Sequence, residues 1–246
     1  MDLPVRQTLL ITGGAKRIGR SIALAAAARG YDVAIHYRAS EKEAASVAAE
    51  VRDLGCNAFL VQGDLETPEG AAAVLEKAWD AAGRIDVLVS SASIFHKSHL
   101  LDFSLAELEQ EIRINAFSPL VMARSFSRKA VSGTIVHLLD SRMNAYDEPH
   151  AAYHLSKRML YDLTRLLALE LAPGFRVNAV APGLILPPPG EQMSYLENHK
   201  HENLLNAHGT PEDVAEAVMF LVENIFVTGQ VIFVDGGRNL KSSVYG

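Results

Sequence analysis

Residues 8–19 read TLLITGGAKRIG. The run Thr8 to Ile11 has the length and apolarity of a strand buried on both faces. The turn Thr12-Gly13-Gly14-Ala15-Lys16-Arg17-Ile18-Gly19 follows it and opens a stretch of helical periodicity over residues 18–29. A strand that passes through glycines into a helix turns successive backbone N–H groups, and the positive end of the helix, toward whatever lies at its tip. Gly13 and Gly14 permit a tight turn and close approach, and Gly19 permits close packing. Such a tip suits a pyrophosphate; the competing reading is a plain strand-to-helix turn.

The same alternation continues along the chain. Thr8-Ile11, Val33-Tyr37, Ala58-Gln62, Val87-Ser90, Thr134-Leu139, Val177-Ala181 and Val231-Val234 read as seven strands, and helical periodicity occupies 18–29, 41–54, 68–82, 105–128, 152–171 and 211–223. Repeated β-α units require a parallel sheet covered by helices on both faces, and right-handed crossovers make it doubly wound. The fold class is therefore α/β, one domain over 1–246, since no linker or shift of composition divides the chain. Ligands of such sheets sit outside the carboxyl ends of the strands. The least regular stretch, 184–209, holds Pro187, Pro188 and Pro189 and is expected to be a substrate loop.

Composition narrows the function. A formal charge of -6 argues against a general nucleic-acid surface. No apolar run reaches the length of a membrane span and the start lacks a basic-then-apolar leader, so a cytoplasmic protein is expected. The lone Cys56 is read as a packed thiol. The nine histidines show no ligand spacing, and no metal is expected. Lys16, Arg17 and Arg38 form a basic group inside this acidic chain. The second strand ends His36-Tyr37-Arg38-Ala39-Ser40, without the carboxylate that would hold a free ribose 2'-hydroxyl. Arg17, Arg38 and Ser40 can instead bind a 2'-phosphate, which favours NADP(H) over NAD, with solvated surface arginines as the alternative.

Tyr153 and Lys157 stand four residues apart on one helix face, where an ammonium can lower the phenol's proton affinity and make it a general acid. Alone the pair is weak evidence. Together with the glycine turn, Asp64 after the third strand, Asn115 in the fourth helix, Pro182-Gly183 after the sixth strand and Val234-Asp235-Gly236-Gly237, it resembles the short-chain dehydrogenase/reductase family over nearly the whole chain, with its single-domain Rossmann fold. The resemblance implies that Asp64 addresses adenine, Lys157 binds the nicotinamide ribose and tunes Tyr153, Asn115 holds a relay water, and Pro182 and Gly183 flank the nicotinamide. It also implies a homotetramer. Two departures stand out: Arg17 replaces the family's middle glycine, and Ser90-Ser91-Ala92-Ser93 replaces Asn-Asn-Ala-Gly.

Arg17, His36-Tyr37, Ser93 with Phe95, and Asp140 thirteen before Tyr153 are similar to the pteridine reductase and dihydromonapterin reductase branch. The resemblance implies catalysis by Tyr153, Lys157, Asp140 and Asn115, and substrate contact at Arg17, Ser93, Phe95, Asp140 and Tyr153. The cofactor is implied at Gly13, Arg17, Ile18, Gly19, His36, Tyr37, Arg38, Ser40, Asp64, Leu65, Ser91, Ala92, Lys157, Pro182 and Gly183. Phe95 would stack a pterin on the nicotinamide, ordinary packing being the alternative. Asp140 suits delivery of a proton to a ring nitrogen, whereas it would repel the oxyanion of a reduced ketone. Three alternatives remain open: Ser141 as the usual hydroxyl with Asp140 incidental, a carbonyl reductase acting on a 3-oxoacyl thioester or sugar, and a dinucleotide sensor without catalysis.

Overall fold

The structure, a computed structural model, describes residues 6–144, 148–188 and 190–241; Met1–Val5 and Pro189 of the expected substrate loop lie outside the described residues. The strands are β1 (Thr8–Thr12), β2 (Asp32–Tyr37), β3 (Ala58–Gln62), β4 (Val87–Ser90), β5 (Gly133–Leu138), β6 (Phe175–Pro182) and β7 (Val231–Val234). They form one parallel sheet in the order β3-β2-β1-β4-β5-β6-β7. The order reverses between β1 and β4, and a crevice opens where two crossovers leave in opposite directions.

Eight α-helices are described: α1 (Arg17–Ala28), α2 (Glu41–Asp53), α3 (Pro68–Ala82), α4 (Leu105–Ile112), α5 (Ser118–Lys129), α6 (Ala151–Glu170), α7 (Ser194–His199) and α8 (Pro211–Glu223). Successive side chains of a strand point to opposite faces, so Leu9 and Ile11 pack with α1, α2 and α8 while Leu10 packs with α3, α5 and the end of α6. Both faces are apolar, which is why the strands read as unbroken apolar runs. Helix starts follow their local chemistry. Thr67 caps α3 ahead of Pro68, and capping boxes at Ser104/Glu107 and Thr210/Asp213 start α4 and α8.

Two expectations are corrected. The helix predicted over 105–128 is broken into α4 and α5 by a π-turn over Arg113–Phe117, across which Ser118 N–H reaches the carbonyl of Arg113. The cause lies in Pro119, which has no N–H to give the carbonyl of Asn115 four residues back; the ladder widens by one residue there instead of continuing. The 184–209 stretch is also less irregular than its prolines suggest, since it contains α7 and a 3₁₀ turn over Lys200–Glu202.

Candidate active site

A cavity of about 820 Å³ opens at the carboxyl ends of the strands, beside the β1/β4 reversal. Thr12 fixes its floor: its hydroxyl accepts the backbone N–H of Ser91 at 3.0 Å and of Ala92 at 3.1 Å, tying the ends of β1 and β4 together. The glycine turn has no room for side chains. Gly13 has φ +66°, and a methyl there would lie 3.0 Å from Ala92 Cα; at Gly19 it would lie 2.2 Å from the Gly13 carbonyl oxygen. Arg17 occupies left-handed backbone at φ 54°, a conformation a glycine takes without strain. Its guanidinium donates to the carbonyl of Pro187 at 2.8 Å, so the residue that departs from the family pattern ties the glycine turn to the 184–209 loop.

His36 is buried and spent on this framework. Its Nδ1 accepts the N–H of Gly13 at 3.2 Å, and Nε2 lies 3.3 Å from the carbonyl of Gly63, which fixes a neutral ring with its proton on Nε2. Burial pushes its pKa down to about 4, against the bond to Gly63. Tyr37 corrects its predicted cofactor role, because its ring is buried in the core cluster of α1 and α2 rather than at the cavity. Arg38 lines the cavity, and Ser40 stands at the N-cap of α2 with its hydroxyl making no capping bond. Asp64 and Leu65 follow β3 into the lining, with Asp64 accepting the N–H of Glu66 at 3.0 Å. Ile18, Ser91, Ala92, Pro182 and Gly183 complete the predicted wall.

On the β5 side, Tyr153 Oη donates to Asp140 Oδ2 at 3.1 Å, and Asp140 Oδ1 accepts the N–H of Arg142 at 2.7 Å. Ser141 does not take that position: its hydroxyl is buried, finds no hydrogen-bond partner among the described residues and does not line the cavity. Lys157, one turn beyond Tyr153 on α6, is buried with Nζ 2.8 Å from the carbonyl of Leu138 and 5.7 Å from the Tyr153 ring centroid. Burial pushes its pKa down to about 8, while Asp140 and Glu111 pull the other way. Phe95 meets the Tyr153 ring edge-on at 4.7 Å, and its own ring is stacked on His150 at 4.0 Å and 15°. The ring is thus stacked on one side by His150, and Phe95 lines the cavity.

Asn115 sits in the π-turn, buried below the lining, and its side chain joins three elements. Its Oδ1 accepts from Ser93 Oγ and Ile94 N, and its Nδ2 donates to Ile94 O, Ser156 Oγ and Glu111 Oε2. Several lining residues carry no signal in the sequence: Arg142, Tyr195 and Arg238 come from the 3₁₀ turn after β5, from α7 and from the chain beyond β7. Glu202 is shared by Arg238 and Arg142, tying the 184–209 loop to two residues of the cavity lining.

A glycine turn at the switch point of a doubly wound parallel sheet, facing a Tyr/Lys pair across one cavity, defines a dinucleotide-dependent oxidoreductase. The chain belongs to the short-chain dehydrogenase/reductase family: a family model described as enoyl-(acyl carrier protein) reductase matches residues 13–239. Among its relatives, an L-rhamnose 1-dehydrogenase (NAD(P)(+)) from Sphingomonas sp. is 32% identical over 96% of this chain and 98% of that protein. A 3-oxoacyl-[acyl-carrier-protein] reductase from Staphylococcus aureus is 32% identical over 96% and 99%. Among solved structures, FolM alternative dihydrofolate reductase 1 from Brucella canis, complexed with NADP, superposes with a TM-score of 0.90 at 32% identity, covering 98% of this chain and 97% of that one. The Brucella suis protein, also in complex with NADP, gives 0.89.

Proposed function

We propose that this protein is an NADPH-dependent reductase that delivers hydride to a C=N bond of a pterin, of the dihydropteridine, dihydromonapterin or dihydrofolate type. The observation that carries the reading is the 3.1 Å bond from Tyr153 Oη to Asp140 Oδ2. A carboxylate beside the phenol supports proton delivery to a ring nitrogen and opposes the oxyanion that a ketone would develop. The aromatic ring of Phe95 in the cavity lining supports a flat heteroaromatic ring, and the FolM neighbours support the same class.

The residues present fit a phosphorylated dinucleotide. Gly13 and Gly19 leave the space its pyrophosphate needs at the start of α1; Arg38 and Ser40 offer a cation and a hydroxyl to a 2'-phosphate, and no acidic residue ends β2. His36 contributes by holding the turn, and Asp64, Ser91, Ala92, Pro182 and Gly183 form the rest of the cradle. NADPH supplies the hydride when bound. Tyr153 holds the donated proton at Oη, Asp140 orients that hydroxyl through Oδ2, and Lys157 presents a buried ammonium behind both. Ser93 and Arg17 reach the substrate side, Arg17 while gripping the 184–209 loop.

A second reading, reduction of a 3-oxoacyl thioester or sugar ketone, is favoured by the names of the rhamnose and oxoacyl relatives. Asp140→Ser separates the two. NADPH oxidation is followed with dihydrobiopterin, dihydromonapterin and dihydrofolate, and with acetoacetyl thioester, on both proteins. The pterin reading expects a loss of about 10²-fold in pterin turnover, the scale of a positioned acid-base group. Unchanged pterin turnover with raised ketone turnover would overturn it.

Among the described residues no helix is long and apolar enough to cross a membrane. A cytoplasmic homotetramer is proposed with the enzyme: Leu155, Leu166 and Leu169 on α6, Phe117 beside α5, and Phe226 ahead of β7 are exposed apolar side chains on faces that symmetry mates could cover. Light scattering that returned only the monomer mass would refute the assembly.

A further inference from the structure

Glu111 stands outside every residue assigned so far, in the last turn of α4. Its side chain is 2% exposed, while that of its partner His96 is 62% exposed. Oε1 accepts the backbone N–H of His96 at 3.0 Å and lies 3.2 Å from His96 Nδ1; Oε2 accepts from Asn115 Nδ2 at 2.8 Å. The same Asn115 amide donates to Ser156 Oγ, one residue before Lys157. A continuous series of contacts therefore runs from solvent at His96 through Glu111 to the floor of the catalytic pair.

Burying a carboxylate costs several kcal/mol unless it is paired, and an amide or apolar side chain would fill the same space more cheaply. Such costs concentrate where a charge has a task. Burial lifts the proton affinity of Glu111, while the N–H and ring of His96 hold it down. Glu111 in turn raises the proton affinity of Lys157 against that residue's own burial. The titratable groups acting here are few: His96 from the β4–α4 loop on Glu111; Glu111 from α4 and Asp140 from the end of β5 on Lys157. His137 of β5 feels Lys157 and is itself held neutral by burial.

We propose that Glu111 is a positioning residue of the reduction: it fixes the Asn115 side chain and supplies a buried negative charge that keeps Lys157 protonated, with His96 holding that charge in place from the solvent side. The proposal rests on the oxidoreductase reading and holds for pterin or ketone alike.

The test is Glu111→Gln, which keeps the volume and removes the charge. Two profiles are measured from pH 5 to 10: NADPH affinity by fluorescence titration, and kcat with dihydrobiopterin, or with acetoacetyl thioester if that is the class turned over. Without Glu111 the ammonium of Lys157 is lost at lower pH, so the alkaline limb of both profiles should move down by about one pH unit, and kcat should fall about tenfold. NADPH affinity at pH 6 should stay within about twofold. Packing alone would leave the limbs unmoved, and unmoved limbs in a folded variant overturn the proposal. Should Glu111→Gln fail to fold, Glu111→Asp decides, because it keeps the charge on a shorter side chain. The alkaline limb should then stay in place, and a limb moved down by a full pH unit in this variant overturns the proposal. A protein inactive on both substrates but binding NADPH would refute the pterin reading, while its binding profile would still judge Glu111.

Discussion

The two walls of the cleft are built by opposite means. Along β1–α1 the wall is made by leaving side chains out, so that the backbone itself meets the ligand: a single methyl at Gly19 would lie 2.2 Å from the Gly13 carbonyl oxygen. Across the cavity the wall is made by side chains, with Tyr153, Asp140 and Phe95 brought together from α6, the end of β5 and the β4–α4 loop. The first wall recognises a shape shared by every dinucleotide. The second can be rewritten one residue at a time without disturbing the first, which is how one fold serves many substrates.

The largest effect should come from the second wall. Tyr153→Phe removes one hydroxyl and should lower kcat by about 10²–10⁴-fold while leaving NADPH affinity nearly unchanged. Stopped-flow turnover beside a fluorescence titration reads both, and parallel losses would show that the walls are not separable. On the first wall, Gly19→Ala should cost about 3 kcal/mol through forced displacement of the turn, roughly 10²-fold in NADPH affinity. Wild-type binding by that variant would mean the close approach is not needed.

Arg38→Ala sharpens the same wall by charge. It should weaken NADPH by about ten- to hundred-fold and leave NADH unchanged, as one charge-assisted contact is lost. Equal loss for both dinucleotides, in calorimetry, would remove Arg38 from the 2'-phosphate. A separate effect is on stability. His36 and His137 are buried and neutral in the fold, with pKa values pushed to about 4 and about 3. The unfolded chain takes up their protons below about pH 6.5. Their share of stability is complete above that pH and is lost as pH falls toward 4, at about 1.4 kcal/mol per pH unit for each ring. Denaturant melts between pH 6.5 and 4 should show this slope, and His137→Asn should reduce it.

The seven strands and the glycine turn were legible because they rest on local periodicity and on residues without side chains. Tyr153 and Lys157 were legible because helical spacing alone puts them on one face. Asp140 was legible as a partner of Tyr153 only through the resemblance, and the competing register with Ser141 stayed open because it depends on the way the chain leaves β5. The π-turn was hidden inside a convincingly helical stretch, although Pro119 at four residues past Asn115 is the signal that could have found it. Glu111 left a fainter trace: a charge one turn before Asn115, among residues that helical phase turns inward. Arg142, Tyr195 and Arg238 left none, because their convergence depends on where α7 and the turn after β7 settle.

The imidazole of His36 carries a lesson for anyone wishing to change the coenzyme this protein accepts. The segment that meets the adenosine ribose begins inside the second strand, at His36. Here one ring of that segment is a strut between the first and third strand ends, receiving the N–H of Gly13 and giving its own proton to Gly63. A carboxylate or an aliphatic substituted there would cut the strut before it altered any preference. Changes of preference are therefore better sought at Arg17, Arg38 and Ser40, and residue 36 has to keep one donor and one acceptor at imidazole spacing.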